Sequence, residues 1–588
     1  RLKSRIRKNP PSGLCFFPIL QKENPYLGFM NVFPKRFRWL RWIMVSCVVF
    51  ALGATTADYF DIAKNMDIFG KVYTEVNKVY VDETDPTKLM RIAIDSMLHD
   101  LDPYTRYFSE SQVDASKLIN TGEYSSIGAE IGVRNDKYLI LQLFEKGPAD
   151  KAGVQVGDEI VKVGEIDVQQ ADLELDAVNN LIMGQKGTEV SLLLRRSSQS
   201  ELVSLAVSRG PTNEVAQENV PYSGMINDDL GYIMLTGFTR NAGNEVATAM
   251  KELRKKAPEI KGVILDLRGN PGGLLIEAVN IVNVFVPQGT KIVEMRGRTQ
   301  RTQQSFSTRV APVEPDLLVA VIVNSSSASA SEIVSGAIQD LDRGVVVGQR
   351  SFGKGLVQEP KPLSFNTQMN ITLAKYYTPS GRCIQAIDYS NRNPDGSVGK
   401  VPDSLVSSFT TKNGRKVFDG GGIDPDIKVA KPKLQPVSRA LLDQGLIFDF
   451  VTQYSQEHDS IAAPRDFRLT DDIYNQFTNF VEGRDFSFGT KSEKQLNDLT
   501  NAIENGKYHD ELLGEIEQIR QKLQQLKGQD LTTHKKEILP LLKKELITRY
   551  HYKQGVIEAS FEDDPDVLAA ISVLNDTSRF HAILRTDQ

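Results

Sequence analysis

The sequence predicts a multidomain α/β protein, and three observations carry that prediction. Residues 262–267 and 317–323 are continuous apolar runs of strand length, and each leads into a turn of small residues followed by apolar positions at helical spacing. Such runs read as strands buried on both faces. A glycine-punctuated series of short strands occupies residues 118–210, and from about residue 436 the chain turns charged, Gln-rich and helical. At 588 residues it should hold three or four domains. A net charge of -5 without a long basic run argues against nucleic acid as a partner. Cys15, Cys47 and Cys383 cannot build a disulfide framework, and Cys383 reads as a small buried hydrophobe. No His/Cys/carboxylate group has metal-ligand spacing, so neither a metal nor a cofactor is expected.

Residues 1–57 read as a leader. The first thirty residues are basic and unpatterned, whereas Met30 opens a better-formed segment: Lys35, Arg36, Arg38 and Arg41, then an apolar run from Trp42 to Ala54. Translation is expected to start at Met30. The run is shorter than the ~20 residues of a membrane span. It fits a signal-peptide core cut near residues 55–57, or a short uncleaved anchor, and either places the rest of the chain outside the cytoplasm. Residues 58–117 follow as a helical region, with Ile62, Met66, Val72 and Val76, then Leu89, Ile92 and Met97, at helical spacing. Residues 101–108 close it and are expected to scaffold only.

In the third segment, residues 126–132 form a glycine-bracketed strand and residues 138–143 a second one. A short helix starts at Gly147, strands follow at 156–163 and 190–194, and Ala177, Val178 and Leu181 mark a helix between them. The fourth segment, residues 211–435, carries the chemistry. Strands are expected at 231–235, 262–267, 317–323 and 345–348, with a helix over 244–254. The turn from Arg268 to Gly273 has the glycines that let backbone N–H groups approach a substrate oxygen. The turn from Asn324 to Glu332 places serines at the start of a helix, where a nucleophile gains from N–H donors and the helix dipole. Twenty-five residues beyond Ser329, Lys354 lies between Gly353 and Gly355 with Phe352, Leu356 and Val357 around it. Apolar surroundings lower an ammonium pKa and make lysine a usable base. The six histidines, at 99, 458, 509, 534, 551 and 581, all lie outside residues 100–457. A Ser-Lys pair therefore needs nothing from outside the segment, whereas a Ser-His-Asp triad would.

Ser-Ala-Ser-Ala-Ser-Glu ending at Glu332, followed by Phe-Gly-Lys-Gly-Leu-Val-Gln ending at Gln358, resembles the C-terminal processing (tail-specific) peptidases. That resemblance implies an α/β serine peptidase core in which Ser329 is the nucleophile, Lys354 the base and Gln358 the residue that orients it. It also implies an oxyanion hole from Ala330 and a turn glycine, Gly272 or alternatively Gly273. Residues 374–382 and 420–427 resemble the family too and are expected to be structural turns. The series Gly-Pro-Ala, Ala-Gly-Val and Gly-Asp-Glu-Ile at residues 147–160 resembles a PDZ domain inserted in the core. By that likeness Ser126, Ile127 and Gly128 form the carboxylate-capturing loop, and Ala129, Glu130, Ile131 and Gly132 the strand that receives a peptide. The expected partners are proteins or peptides with free C-termini, and the expected location is the cell envelope or periplasm, anchored or released.

Residues 436–588 form a helical C-terminal extension in which Leu512, Ile516, Ile519, Leu523 and Leu526 follow a 4-3-4-3 spacing. A packed helical hairpin and homo-oligomer contacts both fit that seam. Two other functions fit parts of the sequence. One is a non-catalytic PDZ scaffold. The other is a nucleotide binder, because Gly348, Gly353 and Lys354 have P-loop spacing, although Gly355 stands where that motif needs Ser or Thr.

Overall fold

The computed structural model describes residues 38–113, 124–171, 173–197, 199–210, 219–393, 397–431, 433–484, 486–504 and 509–585. Met30, Lys35 and Arg36 lie outside them. The chain divides into two units, residues 1–94 and 95–588.

In the first unit, Arg38–Val79 is a single helix, so the apolar run and the positions from Ile62 to Val76 share one element. Ile62, Met66, Val72 and Val76 are exposed on it. Among the described residues no helix is long and apolar enough to cross a membrane. A second helix, Pro86–His99, starts where Asp85 accepts the amides of Thr87 and Lys88, with proline in the first turn.

The second unit is built on a six-stranded sheet in the order Tyr222–Met225, Leu230–Met234, Gly262–Asp266, Leu318–Val323, Val345–Gly348 and Ile427–Lys428. All neighbours run parallel except the first pair. Successive strand residues face opposite sides. Val263, Leu265, Val319, Val321 and Val323 meet the helices Ala242–Lys256, Leu275–Asn283 and Ala330–Asp340 on one face. Ile264, Ala320, Ile322, Val345 and Val347 meet Val567, Ala570, Val573 and Leu574 on the other. Double coverage explains why these strands are apolar throughout rather than alternating.

That second cover comes from beyond residue 436. Helices Pro436–Asp443, Leu446–Glu457, Asp471–Glu482 and Lys535–Ser560 pack on a core of their own around Phe450, Phe477, Leu542 and Leu546. Pro565–Asn575 and Thr577–Ile583 then leave that bundle and close the back of the sheet. The helix His509–Lys527 packs on Lys491–Glu504, but of its seam only Ile516 is buried, while Leu512, Ile519 and Leu526 are exposed.

Residues 124–208 form a small sheet ordered Ala129–Arg134, Lys137–Leu143, Glu159–Val163, Glu189–Arg195 and Leu202–Ser208. Ala129–Arg134 is an edge strand, with Leu175–Ile182 as the neighbouring helix. Lys535–Ser560 is interrupted at Tyr552 (φ 54°, ψ -164°), whose hydroxyl donates to Asp150 at 3.0 Å and seats the helical region on this small domain.

Residues 101–108 differ from the expected helical close. Asp102 accepts the amides of Tyr104 and Thr105 and the Thr105 hydroxyl, turning the chain after Pro103. Arg106–Phe108 then pairs antiparallel with Gln368–Tyr377. The same long strand also pairs with Leu356–Pro362 and Lys291–Gly297, forming a second sheet beside the first.

Candidate active site

The strand Leu318–Val323 ends in a tight turn whose serines have separate tasks. Ser327 donates to the Leu267 carbonyl at 2.8 Å and Ser331 to the Asn270 carbonyl at 3.0 Å, both fully buried. Ser325 and Ser326 are exposed. Ser329, half-buried at the start of the helix Ala330–Asp340, has φ 56° and ψ -111°. A serine pays for a positive φ, and such strain is typical of a side chain held out from a sharp strand-to-helix turn.

Glu332 binds this turn to the loop that carries Lys354. Its fully buried carboxylate accepts the Ser329 amide at 2.9 Å, the Ser351 hydroxyl at 2.6 Å, the Gly353 amide at 2.7 Å and the Lys354 amide at 2.9 Å. Burial pushes the Glu332 carboxyl up to about 7, and the four donors pull against that rise. Tyr376, also buried, places its hydroxyl at the Ser329 carbonyl (3.0 Å) and the Lys354 carbonyl. The Ser329 turn and the lysine loop are thus tied together twice. The Gly355 amide donates to Gln385 Oε1 at 2.8 Å. Three successive amides of the P-loop-like segment are therefore engaged within the protein, which leaves no cradle for a phosphate there.

Lys354 itself is half-buried. Its Nζ lies 4.3 Å from the centroid of the Tyr104 ring, and among the described residues it makes no hydrogen bond. Burial lowers its pKa, while Asp102 and Glu332 hold it partly up. Residues 101–108, assigned to scaffolding from sequence, therefore form a wall of the lysine site. Gln358 donates its Nε2 to Thr372 Oγ1 at 3.2 Å, and Thr105 Oγ1 accepts the Thr372 amide at 3.2 Å. The structure thus brings Ser329, Lys354 and Gln358 into one region without a hydrogen bond from Lys354 Nζ to either neighbour.

The turn after Gly262–Asp266 closes the other side. Gly272 has φ +99°, and a Cβ there would lie 2.8 Å from the Ala330 nitrogen and from Ser329 Cβ, so only glycine allows this approach. Its own amide donates to Asn270 Oδ1 at 2.9 Å, and Asn270 Nδ2 donates to the Leu235 carbonyl. Among the described residues the amides of Gly273 and Ala330 donate to no acceptor. In the small domain, Ile127 and Gly128 use their carbonyls to accept Ala149 and Phe144, while their amides likewise donate to nothing described.

Residues 229–397 match the family described as peptidase family S41, residues 141–196 a PDZ domain, and residues 437–574 the C-terminal helical domain of probable PDZ-proteases. The carboxy-terminal-processing protease of Bartonella bacilliformis is 34% identical over 348 residues, 59% of this chain and 78% of that protein. This chain belongs to the carboxy-terminal-processing proteases. A second relative in that family, CtpB of Bacillus subtilis, is 33% identical over 341 residues, 57% of this chain and 68% of the relative. A solved photosystem II D1 C-terminal processing protease is 26% identical with a TM-score of 0.35, covering 61% of this chain and 92% of that one. As a carboxy-terminal-processing protease the chain is a serine peptidase with a PDZ domain that binds peptide or protein substrates. Ser329, Lys354, Gln358 and Gly272 all fall within the matched peptidase segment, whereas residues 126–132 precede the matched PDZ segment.

Sequence reasoning left Glu332, Tyr376 and Tyr104 without roles, although Glu332 stood inside the recognised motif. Its position three residues after Ser329, on the first turn of a helix, was the available signal.

Proposed function

We propose that Ser329 is the nucleophile, Lys354 the general base and Gln358 the residue that orients the lysine. Lys354 Nζ leaves the Tyr104 ring for Ser329 Oγ once a substrate enters, and its unbranched four-carbon stem permits that swing. The neutral amine takes the Ser329 proton while Oγ attacks a peptide carbonyl. The oxyanion rests on the Ala330 amide and on the glycine pair, Gly272 giving close approach and Gly273 the uncommitted N–H. Lys354 then protonates the leaving amine, and water enters with the same lysine as base. The observation that supports this reading most is the positive φ of Ser329, in a turn that shares Glu332 and Tyr376 with the lysine loop. Labelling by a serine-directed phosphonate probe tests it: wild type should react, Ser329→Ala and Lys354→Ala should not. Labelling that survives in Ser329→Ala refutes it.

For substrate capture, residues 126–128 hold the terminal carboxylate and Ala129–Gly132, on an open sheet edge, adds the peptide as a strand. A peptide ending in a carboxamide should then show a raised KM and an unchanged kcat, and equal KM values would refute the loop assignment. The division at residues 57, 117, 210 and 435, export to the cell envelope behind the leader, anchoring or release there, and self-association through the exposed seam of His509–Lys527 belong to the same reading. N-terminal sequencing of the mature protein from cell fractions decides the leader, and sedimentation of Leu512→Lys decides the seam.

A further inference from the structure

The N-terminus of the helix Pro565–Asn575 reaches both catalytic loops. Arg268, the first residue of the oxyanion turn, donates through Nε and Nη2 to the fully buried Asp266. Its Nη1 crosses to Asp564 Oδ2 at 2.7 Å and to Asp566 Oδ2 at 3.1 Å. Asp564 Oδ1 meanwhile caps the helix by accepting the amides of Asp566 and Val567. The second carboxylate oxygen of Asp566 accepts Gln349 Nε2 at 2.9 Å. Gln349 begins the loop that leads to Lys354, and its amide donates to the Val323 carbonyl at the end of the nucleophile strand. One aspartate therefore touches the turn that carries Gly272 and the loop that carries Lys354, across 298 and 217 residues of sequence.

Stability alone does not account for this cluster. A buried ion pair often contributes no more than well-packed apolar residues of the same volume would. What a guanidinium held on two sides adds is direction, because its donors lie in one plane at fixed angles. We propose that Asp566, supported by Asp564, is a positioning residue for catalysis: it holds the oxyanion turn and the lysine loop in register through Arg268 and Gln349. It meets no substrate, and the proposal rests on the reading of Ser329 and Lys354 as the reacting pair.

Full-length protein cleaving a fluorogenic peptide with an apolar free C-terminus provides the test. Asp566→Asn removes the charge that faces Arg268 and leaves one accepting oxygen for the two donors Arg268 and Gln349, and a misplacement of about 1 Å costs on the order of 10²-fold. The expected result is a kcat lower by roughly 10- to 100-fold, an unchanged KM, and a parallel fall in labelling by the phosphonate probe. Gln349→Leu removes only the tie to the lysine loop and should lower kcat with an unchanged melting temperature, so it decides the matter even where Asp566→Asn does not fold. Adding it to Asp566→Asn should cause less than the product of the two separate losses. Val573→Ala loosens the same helix away from both loops and should lower the melting temperature while kcat holds. Wild-type kcat in either Asp566→Asn or Gln349→Leu overturns the proposal, as does an equal kcat loss in Val573→Ala at a matched melting shift. Ser329→Ala run alongside separates the two readings: activity that persists there sinks the dyad, whereas an inactive Ser329→Ala beside a fully active Asp566→Asn sinks only the anchor.

Discussion

Replacing Glu332 by glutamine separates rate from stability. The carboxylate accepts two donors on each oxygen, the Ser329 and Lys354 amides on one and the Ser351 hydroxyl and Gly353 amide on the other. Glutamine keeps one accepting oxygen and turns an N–H₂ group toward the other two donors. Two buried donors left unpaired cost about 1–3 kcal/mol each, or about 2–6 kcal/mol together. The substitution also removes a buried charge. Burial raises the carboxyl from 4.5 to about 7, so above that pH the ionised group costs the folded state about 3 kcal/mol. The two effects oppose each other, so the change in stability is smaller than the loss of the donors alone would give. Catalysis has no such compensation. Whichever oxygen is lost, the tie between the Ser329 turn and the lysine loop is cut on one side, and a shift of about 1 Å there lowers kcat on the order of 10²-fold. The sign with pH follows: a raised carboxyl makes wild-type stability fall as pH climbs from 4.5 to about 7, a slope that Glu332→Gln lacks. Thermal melting and peptide hydrolysis at pH 5 and pH 8 read both quantities. Wild-type kcat in Glu332→Gln at pH 8 would refute the role given to this carboxylate.

In the proposed mechanism Lys354 serves as base only when neutral, and burial holds its pKa below 10.5, so kcat/KM should rise with pH through that lowered value and level off before an ordinary lysine would titrate. A rate already flat between pH 6 and 10 would exclude it. Tyr104→Ala admits water to Nζ, and because burial is the main cause of the lowered pKa, the rising limb should move to higher pH. An unmoved limb would show that the ring does not shield the lysine. Gly272→Ala forces a Cβ to within 2.8 Å of the Ala330 nitrogen and a side chain onto φ +99°. Probe labelling and hydrolysis should fall by about 10² or more, as for loss of an oxyanion donor, with folded circular dichroism retained. Retained hydrolysis would mean that the turn lies away from the reacting carbonyl.

Much of the catalytic half was legible because its strands are covered on both faces. The runs at 262–267 and 317–323 could hardly be anything else, and they appear as Gly262–Asp266 and Leu318–Val323. The strand at 345–348 was read residue for residue. The small domain was legible from glycines, since Gly128, Gly153 and Gly157 all adopt positive φ. What the sequence hid are contacts across long separations. Tyr104 looked like part of a helical close, yet a turn made by Asp102 carries it to Lys354. Tyr376 sat in a stretch read as a structural turn, although it lies on the strand Gln368–Tyr377 with its hydroxyl between the Ser329 and Lys354 carbonyls. The seam of His509–Lys527 has a clear period, but three of its five apolar residues remain exposed, because a period names a face and not what covers it.

The covering of the main sheet by Pro565–Asn575 has a consequence during synthesis. Tyr232, Ile264, Ala320, Ile322, Val345 and Val347 are made hundreds of residues before the side chains that bury them. Until residues 565–583 are made, that apolar face stays wet and the folding of the hydrolytic half is incomplete. In a peptidase assembled this way the sheet that carries the nucleophile turn is completed by side chains that follow it by more than two hundred residues.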